Sequence, residues 1–426
     1  MKIFYRIRSC VTIFVYLFQF CFSSCRCSAN NFNLGYEGFF DVSNDSSEVD
    51  LSVYHRNGVY IIDDTLDLRR KTLYLPADIS LVIRKGMLKN GCVVGNNTCL
   101  KYRNAVFDRV HIMGTWIVPR ISTSMFRNLA YDNSLKDVVA LASPHVSNQI
   151  HIEEGIYQVT ATEHSYRCLN VNSNTQLKID GTIVLSANDL KIYSILHVSG
   201  KNISISGKGS LVGDKEDHTG TEGEWGMGIF IAGGENVSIK GLNIKNCWGD
   251  CIYIHKNSKN VVIDNCILEC GRRQGISITS AQSVVVRNCK IMNIGGTNPS
   301  FGIDVEPNQG DTVRYVKIED VEVNNCRGGI ECNGRAKDAQ IGTISLMNCN
   351  ISKIKWWPLR FLKANYIEIE KCQVNDHKKT EIIIFNGIAK VNVSDITVDK
   401  RRLKRKDEVL RAISHEDVKQ IRIKQN

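Results

Sequence analysis

The chain has 426 residues, 43% hydrophobic and 23% charged, which excludes both a disordered acidic protein and a membrane protein with many spans. Its formal net charge of +10 comes from the two ends, since residues 1–27 hold four Lys or Arg and no acid, and residues 399–426 hold ten with five acids. The 40 basic and 39 acidic residues between them balance, so net charge identifies no polyanionic ligand.

The first predicted element is a secretory signal peptide over residues 1–27. A basic segment, Lys2–Arg8, precedes an apolar run, Cys10–Phe22, and small residues follow at the expected cleavage region. The apolar run is shorter than a membrane-spanning helix requires. The sequence therefore predicts an exported protein, either secreted or periplasmic. The residues before Cys25 resemble a bacterial lipobox, so a lipid anchor at Cys25 in the outer membrane stays an alternative.

Residues 28–140 are predicted to form a β-rich region with one short helix. Short strand-like runs between turn residues recur from Gly58 to Val118, and the span from Asp132 to Ser143 has the start signal and apolar pattern of a helix. We expect this helix to cap an exposed edge of the repeat structure that follows. Cys92 and Cys99 flank a short polar loop and are the best candidates for a disulfide. No Cys/His spacing fits a structural metal site.

A strand repeat governs residues 141–398. Runs of the type Asn-Val-x-Ile-x-Asn-Cys recur at intervals of 24, 23, 32, 28, 23 and 24 residues. Their last positions are Leu242, Cys266, Cys289, Val321, Cys349, Cys372 and Ile396. A period of this length built from strands predicts an all-β solenoid, and the lack of a helical period between the strands excludes alternating strands and helices. Residues 399–426 are interpreted as a basic tail that forms a solvated surface or cap rather than a nucleic-acid contact.

The repeat also predicts which side chains lie together. A second strand in each unit aligns on Ile229, Ile252, Ile276, Ile303 and Ile330. Because side chains alternate across a strand, two outward columns follow. They are Phe230, Tyr253, Ser277, Asp304 and Glu331, and Ala232, His255, Thr279, Glu306 and Asn333. Neighbouring coils lie about 4.8 Å apart, so we expect Asp304 beside Glu331, with Glu306 on the same face.

This outer face is the candidate site. Like-charged carboxylates on adjacent coils raise the pKa of one of them, and a raised and an ordinary carboxylate form the acid/base pair of glycoside hydrolysis. The candidate catalytic residues are Asp304, Glu306, Glu331, Asp250 and His255. The candidate substrate-binding residues are Arg272, Arg273, Tyr253, Trp225, Glu224 and Arg327. In the structural alternative, Asp304 and Glu306 pair with these arginines and only brace the solenoid.

Residues 145–398 resemble the right-handed parallel β-helix of the pectin-lyase-like superfamily. The segment Trp248-Gly-Asp-Cys-Ile resembles the Gly-Asp-Asp-Cys-Ile motif of polygalacturonases, which places Asp250 on one catalytic acid. Gly275-Ile-Ser resembles the end of that family's Gly-His-Gly-Ile-Ser motif, but Gln274 replaces the histidine. Trp225-Gly-Met-Gly stands where the family has Asn-Thr-Asp-Gly. Since two of the family's three acids are absent, a conventional polygalacturonase is not expected.

Three functions remain open at this point. The favoured one is an exported enzyme that hydrolyses glycosidic bonds in a polysaccharide or oligosaccharide and needs no cofactor. Lyases on the same fold use calcium held by carboxylates, so a calcium-assisted lyase with Arg273 as base is the second. The third is a glycan-binding or adhesive solenoid without catalysis, since fold does not determine function.

Overall fold

A computed structural model describes residues 57–129, 134–377, 381–403 and 405–424, and the backbone of three earlier strands at Ile3–Arg8, Thr12–Leu17 and Glu48–Asp50. Cys25 and the rest of the predicted cleavage region lie outside the described residues. The chain divides into two compact units, residues 1–153 and 154–426. Among the described residues, no helix is both long enough and apolar enough to cross a bilayer.

The N-terminal unit is built mainly from β-strands. Apart from the antiparallel pair Ile3–Arg8 and Thr12–Leu17, its paired strands run parallel to each other. The further strands are Val59–Ile62, Leu66–Asp67, Thr72–Tyr74, Ser80–Ile83, Leu88–Tyr102, Phe107–Ile117, Arg120–Ser122 and Asn148–Ile152, with a 3₁₀ turn at Thr123–Met125. The predicted helix is present as Ser134–Ala140, and its Asp137 carboxylate accepts a hydrogen bond of 2.8 Å from the Ile112 amide.

The expected bridge between Cys92 and Cys99 is wrong. Cys92 is a free thiol. The two residues belong to one long strand, in which Cys92 lies opposite Thr72 and Cys99 lies opposite Ser80. They therefore pair with two different strands, and an extended chain of seven residues keeps the sulfur atoms apart.

The C-terminal unit is the predicted parallel β-helix. Its strands form three faces, which we call sheets 1, 2 and 3. Within the described residues the unit has nine coils, and each coil passes through sheets 1, 2 and 3 in that order. The strands of neighbouring coils pair in parallel. Sheet 1 holds Arg167–Val171, Ile192–Val198, Trp225–Ala232, Ile252–His255, Ile276–Ile278, Phe301–Val305 and Gly328–Asn333. Sheet 2 holds Thr175–Ile179, Lys201–Ser206, Glu235–Lys240, Lys259–Asp264, Ala281–Arg287, Thr312–Glu319 and Gln340–Met347.

The last coils merge two of these strands. Leu359–Glu370 and Ile383–Ser394 each run through sheets 1 and 2 without a break. Sheet 3 holds Ile156–Val159, Thr182–Leu185, Ser210–Val212, Asn243–Lys245, Ile267–Glu269, Lys290–Met292, Glu322–Asn324, Asn350–Ser352, Gln373–Asn375 and Thr397–Val398. We number the coils 1 to 9 from Arg167, so Asp304 lies in coil 6 and Glu331 in coil 7.

Two kinds of stacked residue hold the coils in register. The positions that define the repeat, from Leu242 to Ile396, are each at most 1% exposed and form a continuous apolar column. At a corner of coils 1 to 4, asparagines with φ between 52° and 60° donate side-chain hydrogen bonds from one coil to the previous one, at 3.0 to 3.2 Å. This ladder consists of Asn174, Asn202, Asn236 and Asn260. Asparagine tolerates this left-handed backbone better than most residues, so the same residue recurs.

The basic segment after residue 398 continues the stack. It holds the strands Arg401–Arg402, Ile413–Glu416 and Gln420–Lys424 and a second short helix, Lys406–Arg411. The last two strands pair in parallel with Ile383–Ser394 and extend sheets 1 and 2 by one rung. Most of its arginines and lysines are exposed, as expected of side chains on the outside of a terminal coil.

Candidate functional site

The outward columns of sheet 1 have the predicted register. Ser277 of coil 5 lies opposite Asp304, Asp304 lies opposite Glu331, and Glu331 lies opposite Arg360 of coil 8. The isoleucines on which the strands were aligned are fully buried in the core, so alternation directs these polar side chains away from it. Asp304 and Glu331 are nevertheless only 1% exposed each, because surrounding side chains cover them.

Asp304 is the least compensated carboxylate of this face. The Gln274 side-chain amide donates a hydrogen bond of 2.6 Å to Asp304 Oδ2, and its carbonyl oxygen accepts one from the Phe301 amide. Asp304 Oδ1 is buried and has no hydrogen-bond partner. Burial raises the pKa of Asp304 well above its usual value, and the charges of Glu306 and Glu331 raise it further. Burial therefore disfavours the ionised form of Asp304.

Glu331 and Glu306 have one polar partner each in the neighbouring coil. Arg360 Nε donates a hydrogen bond of 2.9 Å to Glu331 Oε1, and the Asn333 amide donates one of 3.0 Å to Glu306 Oε1. Burial raises the pKa of Glu331 to about 7, against the opposing effect of Arg360. Glu306 is half-buried and is the most accessible carboxylate of the group.

Asp250 is fully buried and completes the group. Ser277 Oγ donates a hydrogen bond of 2.7 Å to its Oδ2, and Arg273 NH1 lies 3.1 Å from the same atom. Burial raises the pKa of Asp250, whereas Arg273 and Ser277 lower it. Arg273 Nε also lies 3.5 Å from the carboxylate of Glu224. We call Asp250, Asp304, Glu306 and Glu331 the carboxylate cluster.

Tyr253 and His255 form a separate polar group beside the cluster. Thr279 Oγ1 lies 3.2 Å from the Tyr253 hydroxyl and 2.9 Å from His255 Nδ1, and Asp311 lies 3.9 Å from the same nitrogen. Burial lowers the pKa of His255 and raises the pKa of Tyr253. His255 is therefore neutral at physiological pH and is suited to accept or relay a proton.

The remaining candidate residues lie at the corner between sheet 3 and sheet 1. The guanidinium of Arg272 lies 3.6 Å from the centre of the Trp248 ring and donates to the carbonyl oxygens of Gly223 and Trp248. The guanidinium of Arg327 lies 3.5 Å from the centre of the Trp356 ring. Trp225 is 43% exposed. Neither Arg272 nor Arg327 forms an ion pair with the carboxylate cluster within the described residues, whereas Arg273 does so through Asp250.

Sequence reasoning missed two parts of this site. Arg360 occupies the next position of the same outward column, and extending the alignment by one coil past Glu331 would have found it. The second part is a group of buried side chains near the loop between coils 2 and 3, and no pattern in the sequence predicted it. There, Asp214 lies 2.8 Å from His218 Nδ1 and accepts a hydrogen bond from Tyr193, while the His218 ring stacks on Trp248 at 3.9 Å. Asp214 and His218 lie in the loop between coils 2 and 3, which the repeat does not specify.

The carboxylate cluster does not fit a calcium ion well. Calcium takes six to eight oxygen ligands, several of them from ionised carboxylates. Asp250 and Glu331 are already paired with Arg273 and Arg360, and burial disfavours the ionised form of Asp304. Among the described residues, no group of three or more His, Cys, Asp and Glu side chains has a metal-binding arrangement.

Comparison with known proteins supports the fold. Residues 154–314 match the family described as "Right handed beta helix region". The chain is 32% identical over 177 residues to the uncharacterized protein YclG, and 28% identical over 191 residues to the SPbeta prophage-derived uncharacterized protein YorA, both from Bacillus subtilis. The matches span 36% and 39% of this chain but only 30% and 32% of those relatives.

Solved structures are more distant in sequence. A hyperthermoactive exopolygalacturonase from Thermotoga maritima is 13% identical, with a TM-score of 0.48 and coverage of 72% of this chain and 92% of that one. The family match agrees with the nine parallel coils of three strands. The fold is therefore a right-handed parallel β-helix, and the predicted fold is confirmed.

Proposed function

We propose that the protein is an exported enzyme that hydrolyses glycosidic bonds in a polysaccharide. The observation that carries the proposal is Asp304, a buried carboxyl with a raised pKa and one unpartnered oxygen, two residues before the half-buried carboxylate of Glu306. A protonated and an ionised carboxyl group are the two components of glycoside hydrolysis. Structural bracing alone gives no reason to leave a buried oxygen without a partner.

In the proposed reaction, Asp304 donates its proton to the glycosidic oxygen, and the carboxylate of Glu306 activates water or attacks the sugar. Asp304 and Glu331 are adjacent carboxyl groups, so the ionisation of one raises the pKa of the other. The pair therefore retains one proton as the pH approaches neutrality. Asp250 and Arg273 hold Ser277 and the start of the strand in place, and neutral His255 beside Tyr253 assists proton transfer. Because Asp304 is only 1% exposed, productive binding requires neighbouring side chains to move and open Oδ1 to the substrate.

The charges of the site and their pairing favour hydrolysis over elimination. A calcium-assisted lyase needs several free ionised carboxylates and an uncommitted base, whereas Arg273, its candidate base, is held between Asp250 and Glu224. The non-catalytic solenoid remains the competing account, since the aromatic and charged outer face suits glycan binding equally well.

The test is digestion of a panel of polysaccharides by the full chain, followed by mass spectrometry of the products. Products that have gained one water support the proposal. Unsaturated products of dehydrated mass would replace hydrolysis with elimination and call for a chelator experiment. Binding to glycans without any product across the panel would reject catalysis and favour the binding solenoid.

A further inference from the structure

A cavity of about 340 Å³ lies at the corner between sheets 3 and 1, against coils 5 to 7. Its polar lining residues are Arg327, Lys355, Asn293 and Asn325, with Trp356 as the aromatic wall. The Asn325 side-chain amide donates to Asn293, and the Asn293 amide donates to Glu269. No acid is among the lining residues. The cavity therefore offers positive charge and hydrogen-bond donors beside an apolar surface, a combination that favours an anionic ligand with a sugar-like ring.

The two cations of this cavity differ from the other arginines of the same face. Arg273 and Arg360 are bound to carboxylates, and Arg272 donates to two carbonyl oxygens. Within the described residues, Arg327 and Lys355 have neither an ion pair nor a side-chain hydrogen bond, and their only recorded side-chain contact is that of Arg327 with Trp356. Their charge is thus available to a ligand.

The position of Arg327 is fixed before any ligand arrives. Its guanidinium stacks on Trp356, and its carbonyl oxygen accepts a hydrogen bond of 2.7 Å from the Trp356 amide. Stacking leaves the N–H groups at the edge of the guanidinium free to donate in its plane, the geometry that binds carboxylate, sulfate or phosphate oxygens. Little conformational entropy is then lost on binding.

The cavity is close enough to the carboxylate cluster to serve the same substrate. Arg327 directly precedes the strand Gly328–Asn333, which carries Glu331. Four residues of extended chain span about 13 Å. An oligosaccharide bridges this distance, but a single sugar residue does not.

We propose that this cavity is a subsite for an anionic sugar residue, one that carries a carboxylate, sulfate or phosphate group. The cavity can bind an anionic sugar whether or not the protein is a hydrolase. The conclusion that the cleaved substrate is an acidic polysaccharide rests on the proposed function. Arg327 and Lys355 bind the anionic group, and Trp356 contacts the sugar ring.

Binding can be measured by calorimetry in the Asp304→Asn background, where cleavage does not interfere. The probes are an oligogalacturonate, the same oligosaccharide after reduction of its carboxyl groups, and a sulfated galactan oligosaccharide. We expect the anionic probes to bind more tightly than the neutral one, and Arg327→Gln to weaken anionic binding about tenfold without changing neutral binding. Comparison of the two anionic probes identifies which anion the subsite prefers.

Two further variants keep the test decisive. Lys355→Gln changes an exposed side chain, and we expect it to weaken anionic binding selectively without lowering stability. Lys290→Gln removes one exposed charge from sheet 3 outside the cavity and serves as the control, with no expected change. Equal weakening of anionic and neutral binding by Arg327→Gln, or no binding of any anionic probe by the parent protein, overturns the inference.

The inference and the proposed function fail in different ways. Selective anionic binding that depends on Arg327, in a protein that cleaves nothing, would keep the subsite and reject hydrolysis. Hydrolysis of a neutral polysaccharide at a rate that Arg327→Gln leaves unchanged would reject the subsite and keep hydrolysis.

Discussion

Asp264 on sheet 2 and Asp304 on sheet 1 are aspartates that face outward from strands of the same solenoid, and their exposed fractions are only 7% and 1%. Asp264 accepts hydrogen bonds of 2.9 Å from Asn288 and 3.2 Å from Arg287, and these partners lower its pKa. Asp304 has a raised pKa, acidic neighbours and an oxygen without a partner. Sheet 2 thus uses its aspartate to fasten two coils together, whereas sheet 1 holds its aspartate in a state suited to proton donation.

The largest difference should appear in catalysis. Asp304→Asn removes the proton donor, and we expect the hydrolysis rate to fall about 100-fold to 10,000-fold. Asp264→Asn should leave the rate unchanged, because Asp264 faces outward on a different sheet. Product release from the polysaccharide found in the panel measures both. Full activity in a folded Asp304→Asn variant would show that Asp304 is not catalytic. Asp304 and Asp264 would then differ only in their effects on stability.

The next largest effect concerns the buried pair beside Asp304. Arg273→Met should lower the free energy of unfolding by about 3 kcal/mol, because Asp250 is fully buried and loses its cation. The matched control is Arg272→Met, whose guanidinium binds only carbonyl oxygens and an indole ring, and the loss should be smaller. Denaturant midpoints at neutral pH measure both variants, and equal losses would contradict this account of Arg273.

A smaller effect is expected at Asp264. Asp264→Asn should cost about 2 kcal/mol at neutral pH, since a charged acceptor of two hydrogen bonds is lost between coils. The depressed pKa means that this stability is present above the ordinary value of 3.8 and is lost as pH falls through the folded-state value. The difference between wild type and variant should therefore shrink in acid. A constant difference across the acid range would show that Asp264 contributes through packing alone.

The smallest expected effect is on stability at Asp304, where the substitution by asparagine should stabilise the folded protein instead of destabilising it. The pKa values of Asp304 and Glu331 are raised, so their protonated forms stabilise the folded state below the ordinary values, and this stability is lost as pH rises. Asp304→Asn should thus gain about 1 kcal/mol of stability relative to wild type between pH ~4 and pH ~5. Unfolding curves at both pH values check this, and a variant less stable than wild type at the higher pH would contradict the uncompensated burial of Asp304.

Much of this site follows from counting along the repeat. Asp304 and Glu331 were placed side by side because each coil stacks on the last in register, and the strand pairs have that register. Cys92 and Cys99 show the limit of such reasoning, because proximity in sequence does not bring two residues of one extended strand together.

The sequence by itself determined the period of the repeat and the inward and outward faces of each strand. The fold and the neighbours within each column follow from these, because strand alternation and coil stacking are local rules. Only the tertiary structure decided which outward side chains are buried and which charges have partners. Gln274 binds Asp304, Arg360 binds Glu331, and Arg327 stacks on Trp356 instead of binding an acid. These outcomes depend on corners and inserted loops of unequal length, whose paths the repeat does not specify, and burial and charge pairing there set each pKa.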